Sequence, residues 1–220
     1  MEVYTILFKF TLKNLRNLRD KKYLQNSMKQ SYFSDQNFEN TDFEQQPLDK
    51  GEYENCIFRN CHFEYADLSG FSFNDCEFTG CNLSMAKLVT TAFREVVFKE
   101  CKMFGLHFNE CNEFGMSFSF DGCYLNNAVF YKTNIKKTLF KNSKLIEVDF
   151  SECDLSQAAF NHCDLSGAVF DHTNLEKADF RTSVNYTIDP SNNRLKKAKF
   201  LLSEIHGLLH QFDIEIDSNG

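Results

Sequence analysis

The chain has 220 residues, 42 % of them hydrophobic, and a formal net charge of −7. That length suits one domain. The acidic balance disfavours direct binding to DNA or to anionic membranes, which are themselves polyanions, and no stretch reaches the ~18 apolar residues of a membrane span. The charge is uneven: residues 1–27 carry six Lys+Arg against two Asp+Glu, so the rest of the chain is more acidic than the total suggests.

Residues 1–27 follow no repeat. Ile6, Leu7 and Phe8 form an apolar run too short for a signal peptide. Leu12, Leu15 and Leu18 are spaced to form one face of a basic helix. Three readings stay open here: a membrane-surface helix, a mobile or loosely docked extension, and a segment upstream of a true start at Met28.

From Phe33 onward every fifth residue is large and apolar, through Phe38, Phe43, Leu48 and Tyr53 to Phe108, and again from Phe120 to Phe180. Two residues before each centre sits a mostly small residue, such as Cys123, Ala128 or Thr133. A period of five fits neither an α-helix nor a flat strand. It fits a chain that makes a short inward step, turns, and repeats on a new face. Residues i and i−2 then point inward, while i−1, i+1 and i+2 point to solvent. Four faces close a coil of about 20 residues, and coils stack at roughly 4.8 Å. The expected fold is an all-β solenoid spanning 28–182, about 36 Å long from Phe33 to Phe180.

Three places disturb the register. Gln36 and Gln46 occupy small slots in the first repeats, where fraying or capping is expected. Phe71 occupies a small slot, which requires either a widened coil or a backbone displaced outward. Twelve residues separate Phe108 from Phe120 where two repeats take ten, so 109–119 holds a two-residue insertion, a structural bulge or a contact loop.

All nine cysteines (Cys56, Cys61, Cys76, Cys81, Cys101, Cys111, Cys123, Cys153, Cys163) fall in the inward slot. Disulfide or metal use is the sharper alternative, but the register makes them packing units. Nine reduced thiols point to the cytoplasm. His162 faces outward while Cys163 faces inward, so no Cys–His dyad forms. No nucleotide loop, zinc-protease motif or nucleophile elbow is present. With a filled interior, no catalytic, cofactor or metal site is expected.

After Phe180 the repeat lapses at Asn185 and Pro190 and resumes at Ala198-Lys199-Phe200. Residues 183–220 read as an irregular coil, a final rung, a short helix capped by Ser203, and a strand over Asp213–Ile216. An apolar end of this kind either seals its own core or pairs with a second copy.

Ala66-Asp67-Leu68, Cys153-Asp154-Leu155, Cys163-Asp164-Leu165 and Ala178-Asp179-Phe180 resemble the A-(D/N)-(L/F)-x-x consensus of pentapeptide-repeat proteins. That resemblance implies a right-handed quadrilateral β-helix. The stretch Ala198-Lys199-Phe200, with Ile205-His206-Gly207-Leu208-Leu209 and Ile214-Glu215-Ile216, is similar to the end of the Qnr-type quinolone-resistance branch. Those are acidic dimeric rods that mimic DNA, bind DNA gyrase or topoisomerase IV and protect it from quinolones. The sequence departs from that branch in lacking the longer loops some members project. The resemblance implies a homodimer through Ile205, Leu208, Leu209, Phe212, Ile214 and Ile216. It also implies a partner-facing acidic surface that includes Asp67, Asp149, Asp154, Asp164 and Asp179. The alternative is a repeat scaffold that binds another cytoplasmic protein.

Overall fold

The computed structural model describes residues 31–212 together with Ile214 and Glu215; residues 1–27 and Ile216 lie outside that range. Within it the five-residue period becomes a four-sided parallel coil. The strands are β1 (Ser31–Ser34), β2 (Asn37–Glu39), β3 (Gly51–Glu54), β4 (Ile57–Arg59), β5 (Ser72–Asn74), β6 (Glu77–Thr79), β7 (Ala92–Arg94), β8 (Val96–Lys99), β9 (Phe118–Asp121), β10 (Leu139–Lys141) and β11 (Ala159–Asn161). The first face carries the sheet β1-β3-β5-β7, and the second carries β2-β4-β6-β8-β9-β10-β11. The third and fourth faces are joined by single parallel bridges, such as His62↔Asn82 and Asp149↔Val169.

Partners lie one coil apart, Phe58 on Phe78 and Phe140 on Phe160. The pairing of β8 with β9 shifts by two, Phe98 on Phe120, and absorbs the insertion. Stacking identical faces puts identical side chains in register, and the second face shows the result. Its rings stack from Phe38 through Phe58, Phe78, Phe98, Phe120, Phe140, Phe160 and Phe180 to Phe200, with centroids 4.6 to 5.4 Å apart. Rings on opposite faces meet edge to face across the core, as Phe140 meets Phe150 at 76°. Both arrangements are favoured by the ring quadrupole.

The coil turns its corners in two ways. At one kind the N–H of residue i+3 closes back on the C=O of centre i, as Ala86 does on Leu83 and Ala128 on Leu125. The inward slot then needs no polar atom, and Ala is common there. At the other kind the strand runs through the corner and that bond is missing. Here the thiol of the inward slot donates instead: Cys81 Sγ to Thr79 O (3.5 Å) and Phe58 O (3.3 Å), and Cys101 Sγ to Lys99 O (3.2 Å) and Phe78 O (3.4 Å). Ser143 Oγ does the same to Lys141 O at 2.7 Å. The cysteines are buried packing units, as their register requires, and at these corners they are also donors to backbone carbonyls inside the core.

Phe71 is buried inside the coil. Pairing of β3 with β5 places Gly51 in the matching slot one coil earlier. The missing side chain leaves room, and the Phe71 ring lies 6.2 Å from Tyr53 and 6.0 Å from Phe73. The opening repeats are less enclosed, with Gln36 and Gln46 exposed and Phe33, Phe38 and Leu48 half-buried.

The C-terminal end corrects two expectations. The helix is a 3-10 helix, Leu202–Leu208, flanked by Leu201 with no side-chain cap, so Ser203 does not cap it. Ile214 and Glu215 lie in irregular backbone rather than in a strand. In the lapsed repeat, Tyr186 and Ile188 are buried and plug the end of the core that Asn185 leaves open. Gly207 lies so close that a Cβ there would be 2.2 Å from Tyr186 O, and its carbonyl accepts from Ile188 N–H at 2.9 Å.

Candidate interaction surfaces

The outward Asp residues have a structural task. Each side chain accepts the backbone N–H two residues on: Asp67 from Ser69 (3.0 Å), Asp149 from Ser151 (2.9 Å), Asp154 from Ser156 (3.0 Å), Asp164 from Ser166 (3.1 Å) and Asp179 from Arg181 (3.2 Å). These are Asx turns, and they hold the corner. Asn82 and Asn174 make the same bond to Ser84 and Glu176. The amide oxygen suffices, so the negative charge is free to serve something other than the fold.

The five Asp do not share a side of the coil. Asp67 and Asp149 lie on the fourth face, Asp154 on the first, Asp164 on the third and Asp179 on the second, as their bridges to Lys87, Val169, Asn174, Lys144 and Lys199 establish. Three are held more acidic than usual. Hydrogen bonding to Ser69 does this for Asp67. Arg181, at 2.7 Å, lowers Asp179 to about 2. For Asp164 burial raises the pKa, but Ser166 and Asn185 outweigh it and the net shift is downward.

The acidic excess is graded along the coil. Residues 31–108 carry 13 Asp+Glu against 6 Lys+Arg, residues 109–182 carry 11 against 7, and residues 183–212 carry 2 against 4. On the second face opposite charges pair between successive coils: Lys141 Nζ lies 2.9 Å from Asp121 in its own column, and Lys99 Nζ 2.7 Å from Glu77 across two columns. A column could be read from the sequence only by carrying the 20-residue spacing across the insertion as 22.

The insertion projects from the first face, where β7 ends its sheet. Phe114 is 81 % exposed, the guanidinium of Arg94 lies 6.0 Å from its ring centroid, and Arg94 Nε donates to its carbonyl at 3.2 Å. Asn112 accepts from Phe114 N–H at 2.9 Å and Gly115 turns the chain with φ +71°. Met116 tucks against the core. The segment is therefore a braced bulge with an aromatic tip.

At the C-terminal end the proposed interface residues divide. Leu208 is half-buried and packs on the core. Ile205 and Leu209 are half-buried, while Phe212 and Ile214 stand out into solvent, as does Leu202 outside that set, at 83 %. The end thus seals its own core and still presents an apolar rim.

His162 is exposed and Cys163 buried, so the pair does not form a dyad. Burial pushes up the thiols of Cys153, to about 11, and of Cys76 and Cys163, to about 12. Among the described residues no cluster of His, Cys, Asp and Glu could hold a metal ion, and no helix is long and apolar enough to cross a membrane. A cleft of about 210 Å³ opens beside Phe71 and is lined by Phe43, Pro47, Leu48, Tyr65 and Leu68. Two carboxylates, Glu44 and Asp67, also stand among its lining residues.

Two models of pentapeptide repeats match the sequence, one over residues 116–184 and 138–209 and one of eight copies over 56–94. No curated protein matches. Among solved structures the coil is similar to full-length QnrB1, a plasmid-mediated fluoroquinolone resistance protein, at 18 % identity and a TM-score of 0.53, covering 84 % of this chain and 100 % of that one. A trypsin-treated QnrB1 variant aligns at 21 % identity and a TM-score of 0.49 over 86 % of this chain and 92 % of that one. HetL, a pentapeptide repeat protein involved in heterocyst differentiation regulation from the cyanobacterium Nostoc sp. strain PCC 7120, aligns at 13 % identity and a TM-score of 0.33, covering 86 % of this chain and 95 % of that one. At these identities the likeness concerns the fold.

Proposed function

We propose, from the premise that this chain belongs to the pentapeptide-repeat family, that it is a non-enzymatic docking rod for a basic protein surface. The observation that supports this reading is the charge gradient, which concentrates the acidic excess in residues 31–108. A filled core leaves only the outside for recognition, and the Asx turns leave the carboxylate charge free for it. The partner class we propose is the DNA-contacting surface of a type II topoisomerase, DNA gyrase or topoisomerase IV. Such a surface is built to receive a polyanion. The rod would occupy it as DNA does and protect the enzyme from quinolones. Complementary charge would speed encounter and set register. End-to-end pairing through Ile205, Leu208, Leu209, Phe212, Ile214 and Ile216 would lengthen the rod and cover its apolar rim.

A gyrase supercoiling assay with ciprofloxacin tests this directly. Adding the purified chain should restore supercoiling, and a chain that neither binds nor protects overturns the gyrase reading. Asp67→Asn with Asp42→Asn is the informative variant. It keeps the Asx oxygen, so its melting temperature should stay within about 2 °C of the wild type, while protection weakens. For the C-terminal pairing, Leu208→Asp should give monomers by sedimentation, and a variant that remains paired end to end at micromolar concentration removes that interface. A second reading, a scaffold for another cytoplasmic protein, is favoured by the exposed Phe114 on its braced bulge.

A further inference from the structure

Along one edge of the first face, charge is separated rather than paired. The i+2 column reads Asp35, Asn55, Asp75, Glu95 before the bulge and Lys137, Gln157, Lys177, Lys197 after it. All eight are exposed and all sit in the left-handed corner conformation, with φ from 51° to 65°. None of the charged members belongs to an ion pair among the described residues, although Lys132–Glu152 and Lys141–Asp121 pair within columns of other faces and Lys99–Glu77 pairs across two columns. Like charges stacked one coil apart repel, and each half of this column lacks the counter-charge that other columns supply internally.

The two halves are equal in length. Four coils precede the bulge on this face (centres Phe33, Tyr53, Phe73, Phe93) and four follow it (Ile135, Leu155, Leu175, Leu195). A two-fold axis lying across the bulge reverses the coil direction and keeps the lateral position of each column. It sets Glu95 of one copy opposite Lys137 of the other, Asp35 opposite Lys197, and the two Phe114 tips beside each other at the axis.

We propose that this face pairs with a second copy of the chain, side by side and antiparallel. The acidic half of each copy lies on the basic half of the other. A polyanion fits the edge less well, since its acidic half would repel what its basic half attracts. A face about 38 Å long and about 12 Å wide covers roughly 450 Å² per copy, at the low end for specific complexes, so the pairing is transient and salt-sensitive. It leaves Asp42, Glu44, Glu64 and Asp67 on the other faces open.

Charge reversal and scattering test the proposal. Asp35→Lys, Asp75→Lys and Glu95→Lys together make every charged member of the edge basic, and Lys137→Glu, Lys177→Glu and Lys197→Glu together make every charged member acidic. Glu and Lys both occupy such corners in the native chain, as Glu95 and Lys132 do, so both variants should melt with the wild type. At about 100 µM and low salt, small-angle scattering of the wild type should show a doubled cross-section with unchanged rod length. Each variant alone should lose that doubling, and an equimolar mixture should regain it. Raising salt to about 0.5 M should weaken the association at least about tenfold. The proposal is overturned if either folded variant keeps the doubled cross-section alone, if the folded mixture fails to regain it, or if association only lengthens the rod. That last result would be end pairing, and the proposed docking role would stand either way.

Discussion

The first and second faces are built from one repeat, yet they behave differently at the insertion. The second face carries its sheet straight through, because β8 and β9 re-pair two residues out of step and Phe98 still stacks on Phe120 at 5.4 Å. The first face loses its sheet at β7 and throws out a bulge tipped by Phe114. A coil stacked by backbone hydrogen bonds can absorb extra residues only where a corner can swell, and the strain is confined to one side. The continuous face pairs its charges; the interrupted face pairs Arg194 with Glu176 but separates the charges of its i+2 edge. Continuity therefore marks the scaffold, and the interruption marks where an aromatic side chain is turned out into solvent.

Substitutions can break this contrast. Phe120→Ala removes a ring stacked between Phe98 and Phe140 on the continuous face and should cost about 3–5 kcal/mol in chemical denaturation. Met116→Ala, half-buried at the bulge, should cost less, about 1–2 kcal/mol; equal losses would mean that both faces carry the fold alike. At the corner after the second face, Cys101→Ser keeps a donor for Lys99 O and Phe78 O, as Ser143 does for Lys141 O. Cys101→Val keeps the bulk and loses the donor, and should be the less stable of the two by about 1 kcal/mol. If valine is the milder change, those thiols act by packing alone. The smallest effect is electrostatic. Arg181 and Lys199 hold Asp179 down to about 2. Because the folded pKa is depressed, its contribution is complete above the unfolded value near 4 and is lost as pH falls towards 2. The group is partly solvated, so thermal melts should differ only slightly between wild type and Asp179→Asn at neutral pH, and that difference should shrink as pH falls from about 4 towards 2 and vanish below it.

Much of the fold is legible in the sequence. The five-residue spacing of Phe and Leu determines the coil, the inward slots, the burial of the cysteines and the place of the insertion, because a side chain's direction in extended chain follows from its position alone. Phe71 shows the limit: its slot is visible, but its accommodation depends on Gly51 one coil earlier, a neighbour 20 residues away. The thiol–carbonyl bonds are hidden for the same reason, since the spacing does not say which corners close with a backbone turn. At the C-terminus the apolar pattern announces an end, but Leu208 and Gly207 turn inward while Leu202 and Phe212 turn out, a division decided by packing on Tyr186.

The sequence by itself determined the repeat, and with it the core and the acidic composition. Only the tertiary structure decided which outward residues share a side. Four faces distribute Asp67, Asp154, Asp164 and Asp179 around the coil, and a two-residue shift determines which charges align beyond the bulge. Period is a local property of the chain; the columns depend on how successive coils register, which backbone hydrogen bonds between distant residues set.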